Sequence, residues 1–218
     1  MRKFLTSALL AGILFLPTTI YAAGDINLPA PNLKDKISVM QALNQRQSSR
    51  NFVEQDLTPA QLSKILWAAN GINRPDSKKR VNPAANAVYS VEVYAVTREG
   101  IYLYDVENHK LKLISAGDFR MTTTTGQDFV GKASVNLVYV ENPDVWKTAK
   151  RIPPRENQIS VANVAVGAMV QSVALAAQTE GLGNCVRGSI NREEFKKASK
   201  LSDDRVILLA QSIGKVGK

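Results

Sequence analysis

Three short stretches carry side chains whose types and spacing could do chemistry. Arg46-Gln47-Ser48-Ser49-Arg50 sets two guanidinium groups and a hydroxyl at two-residue spacing. On an extended segment that spacing turns them the same way. Together they can grip a phosphate bidentately and donate to further ligand oxygens. The same residues equally suit a solvated helix end, where arginine complements the dipole. Gly181-Leu182-Gly183-Asn184-Cys185-Val186-Arg187-Gly188 follows a long helical pattern. It reads either as C-cap chemistry or as a tight turn whose backbone N–H groups approach a flat ring edge-on. Pro83-Ala84-Ala85-Asn86-Ala87-Val88-Tyr89 is a small-residue loop entering a strand. It can make room for a ring, with Asn86 bonding to it, or serve as a plain connection.

Other chemistries are short of parts. The single histidine, His109, falls in an expected hairpin turn beside Asn108 and Lys110. One His excludes two-His and three-His metal sites within the chain, and a surface turn is a poor place for a Ser-His-Asp triad. The single cysteine, Cys185, cannot form an internal disulfide or a Cys-rich zinc site. With no neighbouring His to activate it, it reads as a small buried apolar side chain. No Asp/Glu cluster stands out. An enzyme built this way borrows its chemistry from an organic cofactor, and no metal is expected.

The elements that must position these stretches are legible in outline. At 218 residues and 44% apolar composition the chain is a folded one, of a length suited to one domain. Met1–Ala22 reads as a cleaved secretory signal: Arg2 and Lys3, an apolar run from Phe4 to Phe15, then small residues. That run is short for a membrane span, and nothing after Ala23 is expected to form one. Export follows, with a bacterial periplasm the simplest compartment. Residues 23–35 read as a linker or extended arm and 36–218 as the folded domain.

Helices are expected over Asp35–Gln45, from the Thr58-Pro59 start to Asn70-Gly71, over Ile159–Glu180 and from Asn191. The long third helix is apolar nearly all round, which predicts a buried central helix. Asn73–Asn82 reads as a mobile basic loop. Strands are expected over Val91–Ala95, in a hairpin of Ile101–Tyr104 and Leu111–Ile114, over the apolar run Val135–Val140, and over Val206–Ala210. Ala149–Asn157 is a basic connection. This order is α+β, with helices around one mostly antiparallel sheet.

The three stretches occur in an order that resembles the nitroreductase-like family of FMN-dependent oxidoreductases, nearest its branch of thiazole/oxazole-forming dehydrogenases. The likeness covers Lys36 to Lys215. Arg46-x-Ser48-x-Arg50-x-Phe52 resembles the family's phosphate and ribityl motif, and Arg80–Tyr94 its Pro-Ser-Ala loop. The long helix ending in Gly181-Leu182-Gly183 and the closing Ile213-Gly214 with a basic residue complete it. The resemblance implies an obligate homodimer with FMN in the interface, touched by both chains. It implies that Arg46, Ser48, Arg50 and Lys215 hold the phosphate and ribityl oxygens. Ala85 and Asn86 would face the ring, and Val186, Arg187 and Gly188 would present backbone near its reactive nitrogen. Ala84 stands where the family has Ser, Arg187 where an apolar residue is usual, and Lys218 is the cation available where longer tails reach the phosphate.

The activity implied is ping-pong electron transfer from a donor to a nitroaromatic, quinone or similar acceptor. The alternative is a non-catalytic flavin or anion binder. The net charge of +9 and pI near 9.7 raise a third reading, a nucleic-acid binder, but the basic runs lack interleaved aromatics and no nucleic acid is expected.

Overall fold

The computed structural model describes residues 24–34 and 37–217. The expected signal and Lys218 lie outside the described residues. Seven strands form one sheet in the order β1-β6-β5-β4-β7-β9-β8, every neighbouring pair antiparallel. In chain order these are β1 (Ile26–Asn27), β4 (Val91–Val96), β5 (Gly100–Asp105), β6 (Lys110–Ala116), β7 (Val135–Glu141), β8 (Gly183–Arg187) and β9 (Val206–Gly214). A separate hairpin joins β2 (Ile72–Arg74) to β3 (Lys79–Arg80). The helices are α1 (Val39–Gln45), α2 (Pro59–Asn70), α3 (Arg155–Thr179) and α4 (Arg192–Ala198).

The sheet is covered on both faces, which explains the unbroken apolar run of β7. Val135, Leu137 and Tyr139 face a core shared with α2 and α3. Val138 and Val140 face the opposite core, where α4 inserts Phe195. Full burial of Phe195 contributes roughly 1.5–3 kcal/mol, and its ring meets Tyr94 edge-on at 6.1 Å. The Thr58 cap forms as expected. Its hydroxyl accepts from the Gln61 N–H at 3.2 Å while the Gln61 carbonyl accepts from the Thr58 N–H at 3.1 Å, with Pro59 in the first turn. Leu62, Ile65, Leu66 and Ala69 are the buried stripe of α2.

Four expectations change. Residues 73–82 are not a mobile loop but carry most of the β2–β3 hairpin, closed by the Arg74 guanidinium donating to the Arg80 carbonyl at 2.8 Å. Part of the amino-terminal arm is an edge strand, Ile26 opposite Leu111. The helix α3 starts four residues early. Its buried side is Gln158, Ala162, Ala165, Val166, Met169, Val173, Ala174 and Ala177, while Val164 is 74% exposed. An all-round apolar sequence cannot say which face packs, and within one chain only one does. This helix is also long and apolar enough, by length and composition, to cross a membrane, contrary to expectation. Its packing against α2 and the sheet accounts for the apolar residues on one side only, 39% of that window being buried.

Candidate functional site

The segment after α1 is held on two sides. The Ser49 N–H donates to the Asn184 carbonyl at 2.8 Å, and Ser48 bridges Asn184 as a parallel partner. On the other side Val53 N–H donates to the Lys215 carbonyl at 3.0 Å, Gly217 N–H to the Asn51 carbonyl at 2.9 Å, and the Asn51 amide to the Gly217 carbonyl at 2.8 Å. Arg46, Ser48, Arg50 and Lys215, far apart in sequence, are thereby gathered beside the outer edge of β8. Glycine is required at 183: a Cβ there would stand 2.3 Å from Val216 Cγ1 and 2.7 Å from Ser49 Cβ.

The donors gathered here are unspent. Among the described residues, Arg46, Arg50 and Lys215 make no side-chain ion pair. Asn184 is 3% exposed. Its side-chain Oδ1 accepts from the Gln211 side-chain amide at 3.4 Å, but its Nδ2 is buried without a partner, which costs stability unless a ligand supplies the acceptor. Sequence reasoning missed Asn184. The available signal was an Asn inside a strand, where that residue is depleted.

The edge of β8 extends the site. In an antiparallel strand, alternate residues turn both N–H and C=O the same way. Asn184 turns its carbonyl outward to Ser49, so Val186 presents its N–H on that same open edge, and Gly188 is the first residue beyond the strand. From Asn184 to Gly188 the backbone covers about 13 Å. An anionic group at the Arg46 end and a flat ring at the Gly188 end can share this edge. Nothing stands within 4 Å of a Cβ built on Gly188.

Arg187 is placed differently from its neighbours. It is 4% exposed, and its guanidinium donates to Ser212 Oγ at 3.0 Å, the Thr123 carbonyl at 2.6 Å and Asn136 Oδ1 at 3.2 Å. Among the described residues no carboxylate pairs with it, and burial pushes its pKa down to about 10. It is a clamp between β7, β8, β9 and the turn at Thr123, leaving only its backbone near the edge.

The Asn86 loop is elsewhere in the chain. Asn86 and Ala87 both have positive φ, 54° and 57°, with the Val88 N–H donating to the Ala85 carbonyl at 2.9 Å. This is type I′ turn geometry, which suits Asn and strains Ala. Ala85 and Asn86 lie beside Val161, at the start of α3. The Arg46 end lies at the other end of α3, where Gln178 donates to Gln45 at 3.5 Å. Seventeen residues of helix separate Val161 from Gln178, about 25 Å. One chain does not bring Asn86 to the cation cluster.

His109 is no surface residue. Tyr104 OH lies 2.8 Å from Nδ1, and Nε2 lies 2.8 Å from Ser63 Oγ and 3.1 Å from the Pro29 carbonyl. Ser63 is fully buried and donates to the same carbonyl at 2.5 Å, so this cluster fastens the arm rather than presenting a nucleophile. Burial holds the imidazole pKa below its usual range.

The sequence signature of the Nitroreductase family matches residues 43–215. A Methanocaldococcus jannaschii protein provisionally named a nitroreductase is 28% identical over 184 residues, 80% of this chain and 90% of its own. The crystal structure of a Ralstonia eutropha JMP134 protein, likewise provisionally named a nitroreductase, is 34% identical. It superposes with a TM-score of 0.82 over 96% of this chain and 97% of that one. The fold is also that of the NADPH:FMN oxidoreductase of Vibrio harveyi solved with NAD+, at 16% identity and a TM-score of 0.61, covering 83% of this chain and 69% of that one.

Proposed function

The chain belongs to the nitroreductase family, and from that premise we propose that it is an FMN-dependent oxidoreductase passing electrons from a small-molecule donor to a nitroaromatic, quinone or similar acceptor. The observation that carries this reading is the donor-only cluster at the β8 edge: unpaired Arg46, Arg50 and Lys215, the Ser48 hydroxyl, and the orphaned Asn184 amide. A phosphate dianion with a polyol chain satisfies all of them. In this reading Arg46, Arg50 and Lys215 hold the phosphate, and Ser48 and Asn184 donate to the oxygens that follow. The Val186 and Gly188 N–H groups meet the ring edge. FMN held there would supply the redox chemistry, and these residues would bind and orient it for a donor and then an acceptor.

A homodimer completes the site. Two copies of α3 packed antiparallel, crossing near Gly167 and Gln171, would carry one chain's Asn86 loop to its partner's cluster. The outward side of α3 supports this: Val164 is exposed and a Cβ on Gly167 would meet nothing, so backbones can approach. Val39 and Met40 of the neighbouring α1 are exposed as well. The amino-terminal sequence supports export, so the enzyme would act outside the cytoplasm with a donor available there.

The test is anaerobic reduction of the FMN-loaded protein, followed by an acceptor. The expected result is a flavin absorption band that bleaches with a reduced nicotinamide faster than free FMN does and returns on adding a nitroaromatic or quinone. Bound FMN that no donor reduces would refute the enzymatic reading and leave a binding protein.

A further inference from the structure

The far side of the Asn86 turn opens on a groove of about 770 Å³ lined by Arg80, Asn86, Tyr89, Thr148, Lys150 and Arg151. Three of these are cations and none is a carboxylate. The acids nearby are already engaged: Glu107 with Lys78 at 3.0 Å and Asp144 with Lys147 at 2.6 Å. Among the described residues Lys150 and Arg151 have no ion-pair partner. The Arg80 guanidinium lies 4.6 Å from the centre of the Tyr89 ring, a cation–π contact. Burial lowers its pKa, and the charge of Glu107 offsets this only in part.

Arg151 and Asn86 also line the adjoining hollow, with Trp146, Asn157 and Ser160. Trp146 is 2% exposed, and its indole N–H finds no acceptor. A buried donor without an acceptor, sharing its hollow with Arg151 and adjoining a groove with two further cations, describes a place for a ligand rich in acceptors.

We propose that this groove binds the charged end of the substrate, a planar molecule that is a dianion through two carboxylates or one phosphate group. Its role as a substrate site rests on the function proposed above, in which Asn86 meets the ring. The groove is distinct from the Arg46 cluster, about 25 Å away along α3 in the same chain. The guanidinium over Tyr89 offers a flat cationic surface for an aromatic acid. Arg151 lines both hollows that Asn86 lines.

The experiment is a calorimetric titration of the FMN-saturated protein with isophthalate, phenyl phosphate and neutral benzamide. The native chain is compared with a Lys150→Gln/Arg151→Gln double variant, both positions being exposed. At least one dianion is expected to bind more tightly than benzamide and to weaken about tenfold in the variant, benzamide being unaffected. The stronger of the two dianions identifies carboxylate or phosphate. Equal binding of both dianions by native and variant chains, or no dianion binding at all, overturns the proposal. So does loss of dianion binding in an Arg50→Gln chain that still holds FMN, which would place it at the other cluster. FMN uptake is read separately from the flavin absorbance, so its failure refutes the proposed function while the titration, which needs no turnover, still tests the groove.

Discussion

One methyl group added at two glycines of the same segment separates what holds the β8 edge together from what it presents. At Gly183 a Cβ would stand 2.7 Å from Ser49 Cβ and 2.3 Å from Val216 Cγ1. The valine is exposed and can rotate, but Ser49 Cβ moves only with its backbone. Restoring ordinary contact at 3.4 Å requires a displacement of 0.7 Å. That would stretch the 2.8 Å bond from the Ser49 N–H to the Asn184 carbonyl to its limit. Overpacking of this kind costs about 1–3 kcal/mol. In a chain of this size it lowers Tm by about 2–4 °C for each kcal/mol. Gly183→Ala should therefore melt several degrees lower and also bind FMN less well, since Arg46, Ser48 and Arg50 ride on the displaced segment. Gly188→Ala meets nothing within 4 Å and needs no positive φ. It should melt like the native protein, yet bind FMN more weakly, because the new methyl projects where the ring edge would lie. Thermal melting by circular dichroism and flavin fluorescence titration read the two effects. A Gly183→Ala protein with native Tm, or a Gly188→Ala protein with native FMN affinity, would refute the reasoning at that position.

Placing charge on the outward side of α3, as Val164→Asp with Gly167→Glu, should convert a dimer to a folded monomer and abolish FMN binding together. Light scattering and flavin titration check this, and a monomeric native protein that binds FMN with full affinity would contradict it. The half-buried His109 gives a pH dependence of definite sign. Its folded pKa lies below the unfolded value of about 6.5, so its contribution is full above that pH and is lost as pH falls. Between pH 7 and pH 5 the native protein should lose more Tm than His109→Gln, and the Leu28 N–H, which donates to the His109 carbonyl, should exchange faster. Parallel Tm profiles would show that the imidazole carries no such linkage.

Much of the scaffold could be read from local pattern. The Thr58-Pro59 start of α2 and the apolar run of β7 each follow from a rule that operates within a few residues. The hairpin around His109 needed only its alternating flanks. What escaped depends on neighbours far away in sequence. The two-residue β1 exists because Ile26 finds Leu111, and β3 is Lys79-Arg80, whose side chains carry no strand signal. The gathering of Arg46, Ser48, Arg50 and Lys215 was anticipated only through the family resemblance, since spacing alone did not separate a phosphate grip from a solvated helix end. The buried Arg187 clamp was invisible, and Asn184 left only the weak signal of an Asn in a strand, because both are defined by partners on β7, β9 and the Thr123 turn.

The most direct measurement of the central claim is equilibrium dialysis of the purified protein against FMN, with Arg50→Glu alongside. One FMN per chain, bound to a dimer of native protein and lost when the charge at residue 50 is reversed, is the predicted result. A native protein that stays colourless in excess FMN, or a reversed-charge protein that binds it equally well, would contradict the account.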